Sequence, residues 1–226
     1  RIPELIARAW TTALSGRPGP VIVALPENML RAASALPPCG PIKVPEPALS
    51  SAQIRQLQDY LCAAQRPVVL YGGSGWTVTA ASQLETFAAA NDVPLVAAFR
   101  YHDICDNHHP CFVGDAGVGM LGYIKTLLRD ADMIVALNIR FGEMTTDGYD
   151  LFDLPKMAAT LIHSNASDAE LGKIYIADLP LQAGPNAMAE ALAGIRLAQN
   201  ADRTAWCGAA KAAYDDSFTV AAQPGA

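Results

Sequence analysis

The sequence predicts an α/β protein built as a three-layer, doubly wound and mostly parallel sheet. Short runs of consecutive apolar residues, such as 67–71, 95–99 and 133–137, have the length of strands buried on both faces. Segments with helical spacing alternate with these runs, which indicates helices on both faces of a parallel sheet. A glycine-rich turn, residues 72–75, follows the first run, where α/β sheets place a ligand-binding strand-to-helix turn.

The residues ahead of this sheet predict a helix, a strand and a linker. Apolar residues from Ile6 to Ala13 keep helical spacing, Gly16 ends the helix, and residues 21–25 form an apolar run typical of a buried strand. Five prolines follow between positions 37 and 47. Because so much proline cannot continue a helix or a central strand, we expect an extended linker and a domain boundary there.

From residue 51 onward, helices and strands are predicted to alternate. We expect strands at 67–71, 95–99, 133–139, 159–163 and 174–177, and helices at 51–61, 79–91, 121–129 and 186–195. Residues 100–119 show neither periodicity and are predicted to form a long irregular loop. The alanine-rich tail from residue 203 onward is weakly amphipathic, and we expect it to lead toward a further domain.

The composition excludes several classes of protein. With 51% apolar and 17% charged residues the chain can bury a substantial core, which excludes a disordered protein. The formal charge of −6 and the scattered Lys and Arg exclude a nucleic-acid surface. No apolar run approaches the ~18 residues that cross a bilayer, so we expect no membrane partner. Five irregularly spaced cysteines indicate no disulfide framework and favour a reducing cytoplasm.

The glycine turn is the most informative local feature. Glycines at 72, 73 and 75 let the backbone approach a pyrophosphate, and the following helix supplies unpaired N–H donors. A standard NAD fingerprint is not met, because Val78 takes the third glycine position and Phe99 and Arg100 follow the next strand where an acid is expected. The residues leave two readings open, a phosphate-binding turn and a merely tight turn.

Other motifs near this turn favour ordinary structure over chemistry. Ser74 lies between a strand and a helix, but Trp76 occupies the position that a nucleophile elbow gives to a small residue. Cys105 and Cys111 with two histidines between them resemble a zinc site. Adjacent histidines rarely point to one centre, so we expect a loop with ordinary cysteines and no metal.

Arg140 follows the predicted strand 133–139. An arginine at the carboxyl end of a parallel strand lies on the ligand side of the sheet, and its planar fork suits a pyrophosphate. The alternative is a solvated arginine paired with Glu143.

Several segments, taken in order, resemble the thiamine-diphosphate enzymes. GRPGPVIVALP at 16–26 resembles the end of their pyrimidine-binding domain, and RPVVLYGG at 66–73 resembles the opening of their central domain. ADMIV at 131–135 with RF at 140–141, and IH at 162–163 with DAE at 168–170, are similar to later segments of that domain. The ordered set covers nearly the whole chain and is most similar to acetolactate synthase and its relatives.

This resemblance implies a Rossmann-like central domain with a six-stranded sheet. In the family it holds FAD in acetolactate synthases, ADP in oxalyl-CoA decarboxylase, and nothing in several decarboxylases. Carried over to this chain, the residues facing the nucleotide are Gly72, Gly73, Ser74 and Arg140 at the pyrophosphate, Ala98, Phe99 and Gly114 along the dinucleotide path, and Asn165 near the adenosine. Asn138 stands where the family usually has glycine, and Asn165 and Ser167 replace two aspartates. We therefore expect ADP at least as much as FAD.

The resemblance also implies an organisation into four segments and a function for a longer parent. Residues 1–36 are the end of the pyrimidine-binding domain, 37–50 a linker, 51–197 the central nucleotide-binding domain, and 198–226 a linker toward a diphosphate-binding domain. The parent binds thiamine diphosphate and Mg²⁺, decarboxylates a 2-keto acid and can join the product to a second one. It is expected to be a cytoplasmic dimer or tetramer of identical chains.

The catalytic glutamate and the magnesium motif of the family are expected in the parent's remaining domains. We therefore nominate no catalytic residue in this chain, and we expect it to be an excised, non-catalytic piece. Two alternatives stay open, a structural domain whose nucleotide site has decayed and an NAD-dependent deacylase of the sirtuin type. The second would need a catalytic histidine motif and two closely spaced cysteine pairs, and neither is found.

Overall fold

The chain from Pro47 onward folds around a six-stranded sheet whose strands are all parallel. The strands are β1 (Pro67–Tyr71), β2 (Leu95–Ala98), β3 (Phe112–Ala116), β4 (Met133–Leu137), β5 (Thr160–Asn165) and β6 (Leu179–Gln182). Their order is β3-β2-β1-β4-β5-β6, which confirms the predicted Rossmann-like α/β class. The strand order reverses between β1 and β4, and the two strands pair from Pro67↔Met133 to Tyr71↔Leu137. Their carboxyl ends therefore finish side by side, at the position where such sheets bind ligands.

The computed structural model describes residues 1–37 and 40–219. The chain divides into two units, Arg1–Glu46 and the part from Pro47 onward. The helices are α1 (Ile2–Leu14), α2 (Glu27–Leu30), α3 (Ser51–Ala63), α4 (Val78–Asn91), α5 (Gly122–Asp130), α6 (Pro185–Ala193) and α7 (Ala201–Asp216), with a 3-10 turn at Asp168–Glu170. None of the helices is long and apolar enough to cross a membrane, within the ranges that the structure describes.

The first unit contains α1 and α2, and neither helix buries a residue. Residues 21–25 form no strand, so the strand predicted there is wrong. An apolar run becomes a strand only where a neighbouring strand can accept its backbone hydrogen bonds, and periodicity alone cannot show such a neighbour. Ile22 is 93% exposed.

Helices cover both faces of the sheet. One apolar core joins the sheet to α3, α4 and α6 through residues such as Leu57, Phe87 and Met188. The other joins it to α5 and to the segment after β4 through residues such as Leu128 and Phe141. Every residue of β1 is buried because its side chains enter these two cores alternately. A strand buried on both faces must be apolar throughout, which is why β1 was predictable.

The two outer strands were placed wrongly. β3 lies within the predicted loop 100–119, because Gly114 and Asp115 interrupt its apolar run. β6 begins at Leu179, after the strand predicted at 174–177, and only alternate residues of it are buried. β6 also contains Pro180, which an edge strand tolerates because it does not need every backbone donor. Edge strands carry the weakest apolar signal, and both errors arise there.

The tail forms α7, which packs against β3 and α5. Arg203 is buried, and its Nε and Nη2 atoms donate to the carbonyl oxygens of Asn91 and Ala198, each at 2.6 Å. Trp206 Nε1 donates to the carbonyl oxygen of Pro67 at 3.1 Å. The residues from 201 to 216, predicted as part of a linker, are thus a folded layer of this unit. Their continuation toward a further domain stays a prediction.

Candidate functional site: the carboxyl edge of β1 and β4

The turn after β1 is held by the first turn of α6. Asn186, near the start of α6, accepts hydrogen bonds through Oδ1 from the backbone N–H and the hydroxyl of Thr77, both at 2.9 Å. Its Nδ2 donates to the carbonyl oxygen of Gly75 at 2.9 Å. Thr77 in turn caps α4, accepting through Oγ1 from the N–H of Ala80. One asparagine distant in sequence therefore fixes both the glycine turn and the start of α4.

Two glycines of the turn are required by the close approach of the segments that end β2 and follow β4. Gly73 has φ +71°, and a Cβ placed on it would lie 2.1 Å from the carbonyl oxygen of Asn138. A Cβ on Gly72 would lie 2.9 Å from the Cβ of Ala98. At position 73, only glycine accommodates both the left-handed backbone and the contact with Asn138. The predicted residues Gly72, Gly73 and Ala98 are thus brought together.

The turn leaves backbone donors unused. The N–H of Gly72 donates to the carbonyl oxygen of Leu137 at 3.1 Å. The N–H groups of residues 73–76 have no acceptor among the residues that the structure describes. Residues 73–76 line a cavity of about 310 Å³, which lies between residues 73–78, at the N-terminus of α4, and the loop 101–104. Unpaired N–H groups at a helix N-terminus favour an anion. Asp103, which carries a negative charge, lines the same cavity and opposes this preference.

Asn138 fills the space between the ends of β1 and β4. It has a left-handed backbone, φ 56°, and is 8% exposed. Its Nδ2 donates to the carbonyl oxygen of Gly72 at 3.1 Å and to that of Ser74 at 3.0 Å. Trp76 Nε1 also donates to the Gly72 carbonyl, at 2.8 Å. The turn after β1 is therefore tied to β4 by side chains of the protein itself.

Arg140 lies apart from the cavity. Its side chain is turned toward Gly142, where an added Cβ would lie 3.3 Å from Nη2, and it does not line the cavity at the glycine turn. It forms no ion pair with Glu143 or with any other carboxylate in the described ranges. The structure thus leaves the guanidinium available but does not place it beside Gly73 and Ser74.

The remaining predicted residues are divided between the edge and the core. Phe99 is half-buried at the end of β2, with the guanidinium of Arg100 4.9 Å from its ring centre. Gly114 lies within β3, where an added Cβ would meet the hydroxyl of Tyr123 at 2.7 Å. Close packing against α5 accounts for this glycine. Asn165 is 5% exposed.

Two buried side chains on β5 fix the segment after β4. His163 Nε2 lies 3.1 Å from the carbonyl oxygen of Ile139 and must donate, since a carbonyl only accepts. Asn165 Nδ2 donates to the same oxygen at 3.3 Å, and Asn165 Oδ1 accepts from the N–H of Ser167 at 2.9 Å. Burial lowers the pKa of His163, which keeps the ring neutral. The amide of Asn165 is thus engaged by the protein.

The cysteines do not form a metal site within the described ranges, where no group of three or more metal-ligating side chains comes together. Cys105 lies against Tyr71, and burial raises the pKa of its thiol to about 12. Cys111 instead contacts Cys207 on α7, whose hydrogen bond lowers the pKa of Cys111. The two thiols of the considered zinc motif therefore have different partners.

Sequence reasoning missed the three residues that shape this edge. Asn138 was noted only as standing where the family usually has glycine, although asparagine is the non-glycine residue most suited to a left-handed backbone. Trp76 was noted only as an obstacle to a nucleophile elbow. Asn186 gave no signal, because its partners are 109 and 111 residues away in sequence.

Comparison with known proteins agrees with this architecture. The family model for the central domain of thiamine pyrophosphate enzymes matches residues 54–192. The chain is 28% identical over 191 residues to acetolactate synthase isozyme 2 large subunit of Escherichia coli K12, covering 84% of this chain and 34% of the relative.

Two further relatives give the same result. Identity is 30% with isozyme 3 large subunit of E. coli K12, over 80% of this chain and 32% of the relative. It is 31% with acetolactate synthase of Mycobacterium bovis, over 80% of this chain and 29% of the relative. The chain spans about a third of the length of these curated relatives. It belongs to the thiamine pyrophosphate enzyme family, and residues 54–192 are its central domain.

Proposed function

We propose that this chain is the non-catalytic central part of a longer enzyme of the acetolactate synthase type. The parent decarboxylates a 2-keto acid and joins the product to a second one. Thiamine diphosphate supplies the carbanion chemistry, and it is held with Mg²⁺ by the parent's remaining domains. The proposal is supported by a family match confined to the central domain and by coverage of about a third of the relatives. The parent is a cytoplasmic dimer or tetramer in this proposal.

An assay of the purified chain tests its non-catalytic role. With thiamine diphosphate, Mg²⁺ and pyruvate, we expect no acetolactate above the blank, because catalysis depends on the remaining domains. A full-length acetolactate synthase assayed alongside is the positive control. Acetolactate formed in proportion to the concentration of the chain would show that a catalytic group lies within these 226 residues.

The central domain itself is proposed to bind the diphosphate of an adenine nucleotide at the glycine turn. The observation that supports this is the set of unused N–H groups at residues 73–76, which border a cavity at the N-terminus of α4. Its volume, about 310 Å³, is at the small end of the ~300–1,000 Å³ usual for ligand sites. Gly73 and Ser74 would hold the phosphates, as donors fixed in place before binding.

ADP fits this cavity better than FAD. A dinucleotide continues beyond its pyrophosphate, and both the amide and the backbone carbonyl oxygen of Asn138 lie close against the turn after β1. The amide of Asn165, expected near an adenosine, is bound to the carbonyl of Ile139 and the N–H of Ser167. The residues present therefore do not fit FAD across the β1–β4 crevice. A role for Phe99, Gly114, Arg140 and Asn165 in nucleotide binding stays a prediction.

Calorimetric titration of ADP into the chain tests this proposal. Ser74→Asp places a carboxylate in the exposed turn, and its repulsion of a diphosphate should weaken binding at least about tenfold. Ser82→Asp makes the same change of charge on the exposed side of α4 and serves as the matched control. Equal affinities of wild type and Ser74→Asp would show that the diphosphate lies elsewhere.

The variant Arg140→Ala distinguishes two placements of the diphosphate. If the phosphates remain in the cavity, the variant binds ADP as the wild type does. If they reach the guanidinium, the affinity falls roughly tenfold to a hundredfold, as for loss of a charge-assisted hydrogen bond. The first result is expected for a diphosphate confined to the cavity, which Arg140 does not line, and the second would bear out the role predicted for Arg140.

A structural domain with a closed nucleotide site is the second candidate function. The hydrogen bonds from Asn138 to the carbonyl oxygens of Gly72 and Ser74 favour this candidate, since they give both oxygens a donor without a ligand. Absence of ADP binding by the wild type at millimolar concentration would select this candidate.

A further inference from the structure

Three carbonyl groups of the glycine turn, those of residues 72, 74 and 75, accept hydrogen bonds from side chains of the protein. The donors are Trp76 and Asn138 for residue 72, Asn138 for residue 74, and Asn186 for residue 75. These side chains come from the turn itself, from the end of β4 and from the start of α6. The carbonyl side of the turn is therefore held from three directions.

The direction of each carbonyl group decides the direction of the N–H group that follows it. The peptide bonds of this turn are trans. In a planar trans peptide, the C=O of one residue and the N–H of the next point in opposite directions. Holding the carbonyl groups of residues 72, 74 and 75 thus directs the N–H groups of residues 73, 75 and 76 away from the side chains that hold them. Within the described ranges these N–H groups have no acceptor, and the residues that carry them line the cavity.

Gly75 shows why the turn needs such side chains. It has φ +95°, but packing does not impose this conformation, since an added Cβ would meet nothing nearer than the ring of Pro185, at 3.9 Å. Glycine loses more conformational freedom on ordering than any other residue. If the ligand had to order this residue, the cost would reduce its affinity. A side chain that orders Gly75 in advance removes that cost from binding.

Asn186 is the side chain in a position to do this. The carbonyl oxygen of Gly72 has two side-chain donors, whereas that of Gly75 has Asn186 as its one donor in the part of the chain that the structure describes. Asn186 Oδ1 also accepts from the N–H and the hydroxyl of Thr77, both at 2.9 Å. One amide therefore holds residues 75 and 77 together, and the N–H of Trp76 lies between them.

We infer that Asn186 is a positioning residue for the diphosphate, which orders the backbone of residues 75–77 before binding so that the N–H of Trp76 can donate to the anion without rearrangement. The ligand class rests on the function proposed above. The ordering of the turn rests on the hydrogen bonds of Asn186 to Gly75 and Thr77.

Asn186→Ala removes these bonds, and Asn200→Ala is the matched control. Asn200 is the N-cap of α7 and, like Asn186, is half-buried. It too accepts two hydrogen bonds through Oδ1, from the N–H groups of residues 202 and 203. It also donates one through Nδ2, to Gln65 at 2.7 Å. The control therefore matches the number of these bonds at a site outside the glycine turn, so a general loss of stability affects both variants alike.

We expect Asn186→Ala to weaken ADP binding roughly fivefold to thirtyfold, which is the cost of ordering one backbone residue expressed as affinity. Asn200→Ala should bind ADP within about twofold of wild type. In the ¹⁵N spectrum of ligand-free Asn186→Ala, the amide signals of residues 75–77 should shift or broaden. The signal of Gly73 should stay as in wild type, because the carbonyl of Gly72 keeps both of its donors.

Calorimetry with ADP and with inorganic pyrophosphate, together with amide spectra of the whole chain, separates the outcomes. Weaker ADP binding and disturbed amides in Asn186→Ala alone support the inference. If wild type binds ADP and Asn186→Ala binds it equally well, or if Asn200→Ala weakens binding as much, the inference is overturned while the proposed site stands. If wild type binds neither ligand although Asn186→Ala disturbs residues 75–77, the proposed site fails, and Asn186 orders the turn for structure alone.

Discussion

Two helices at opposite ends of the described chain show how poorly apolar content alone predicts burial. α1 carries Leu5, Ile6, Trp10 and Leu14, which are 39% to 56% exposed, and it buries no residue. α7 is alanine-rich and offers few large apolar side chains, yet Arg203, Cys207 and Ala210 on it are buried. An apolar face shows that a helix is suited to packing against another surface, but it does not show which surface that is. A few polar side chains that donate to defined acceptors can hold in place a helix that has only a weak apolar face.

Removing residues 198–226 should have the largest effect, because α7 is a layer of the folded unit. Its loss would expose Phe112, now 1% exposed and in edge-to-face contact with Tyr214, and would leave the carbonyl oxygens of Asn91 and Pro67 without their donors. We expect the free energy of unfolding to fall by about 4 kcal/mol or more. Urea unfolding followed by circular dichroism measures this loss. An unchanged midpoint would mean that the tail is a linker after all.

The sequence predicted the centre of the fold better than its borders, and the reason is physical. β1 and β4 are buried on both faces, so their sequences are apolar throughout and easily seen. β3 contains Gly114 and Asp115, and β6 contains Pro180 and Gln182, because edge strands meet fewer constraints. α7 was missed because its docking depends on Arg203, and the carbonyl of Asn91 that anchors it lies 112 residues away.

Arg203→Ala should produce the next largest change. The variant removes the charged donor from two carbonyl oxygens, that of buried Asn91 and that of exposed Ala198. A cost of about 2–4 kcal/mol in the free energy of unfolding follows. Arg196 is the matched control, since it also donates to two backbone carbonyls but is exposed. Arg196→Ala should cost under about 0.5 kcal/mol. Equal costs for the two arginines would refute a special role of Arg203 in docking α7.

His163 tests whether the sheet unit, unlike α1, is closed to water. Burial holds its pKa below the ordinary 6.5, so the unfolded chain binds a proton that the folded chain refuses. The stability due to neutral His163 is complete above pH 6.5 and falls as the pH drops toward the folded-state pKa. The slope contributed by this residue is at most about 1.4 kcal/mol per pH unit.

His163→Gln should flatten the dependence of unfolding free energy on pH between about 6.5 and 5. His108→Gln, at an exposed histidine, is the control and should leave the curve as in wild type. Urea midpoints measured across this range provide the comparison. Parallel curves for wild type and His163→Gln would mean that the imidazole takes up its proton in the folded protein.

The smallest predicted effect compares the two helices directly through their tryptophans. Trp206→Phe on α7 removes the hydrogen bond from Nε1 to the carbonyl of Pro67 and should cost about 1 kcal/mol. Trp10→Phe on α1, at a side chain 56% exposed, should cost under about 0.5 kcal/mol. Both variants keep an aromatic ring, so urea unfolding isolates the indole. A larger cost at Trp10 would reverse the contrast between the helices.

The sequence predicted the glycine turn of the candidate site but not the hydrogen bonds that tie this turn to the end of β4. A glycine cluster after a buried strand is a local pattern, and the structure places Gly72 and Gly73 in the turn after β1, while their role at a pyrophosphate stays a prediction. The hydrogen bonds that tie this turn to the end of β4 come from Asn138, which is 66 residues from Gly72 in sequence. One sequence cannot reveal such a pairing, because the same asparagine on a differently placed strand end would simply be a solvated polar residue.

The central claim is that the unused N–H groups of residues 73–76 hold a nucleotide diphosphate, and amide NMR tests it most directly. ADP would be titrated into the ¹⁵N-labelled chain, with adenosine as the control that lacks phosphates. The account predicts that ADP shifts the amide signals of residues 73–76 and the indole signal of Trp76, whereas adenosine leaves the turn amides nearly unchanged. Shifts confined to the segment around Arg140 and Asn165, or no shifts at millimolar ADP, would contradict it.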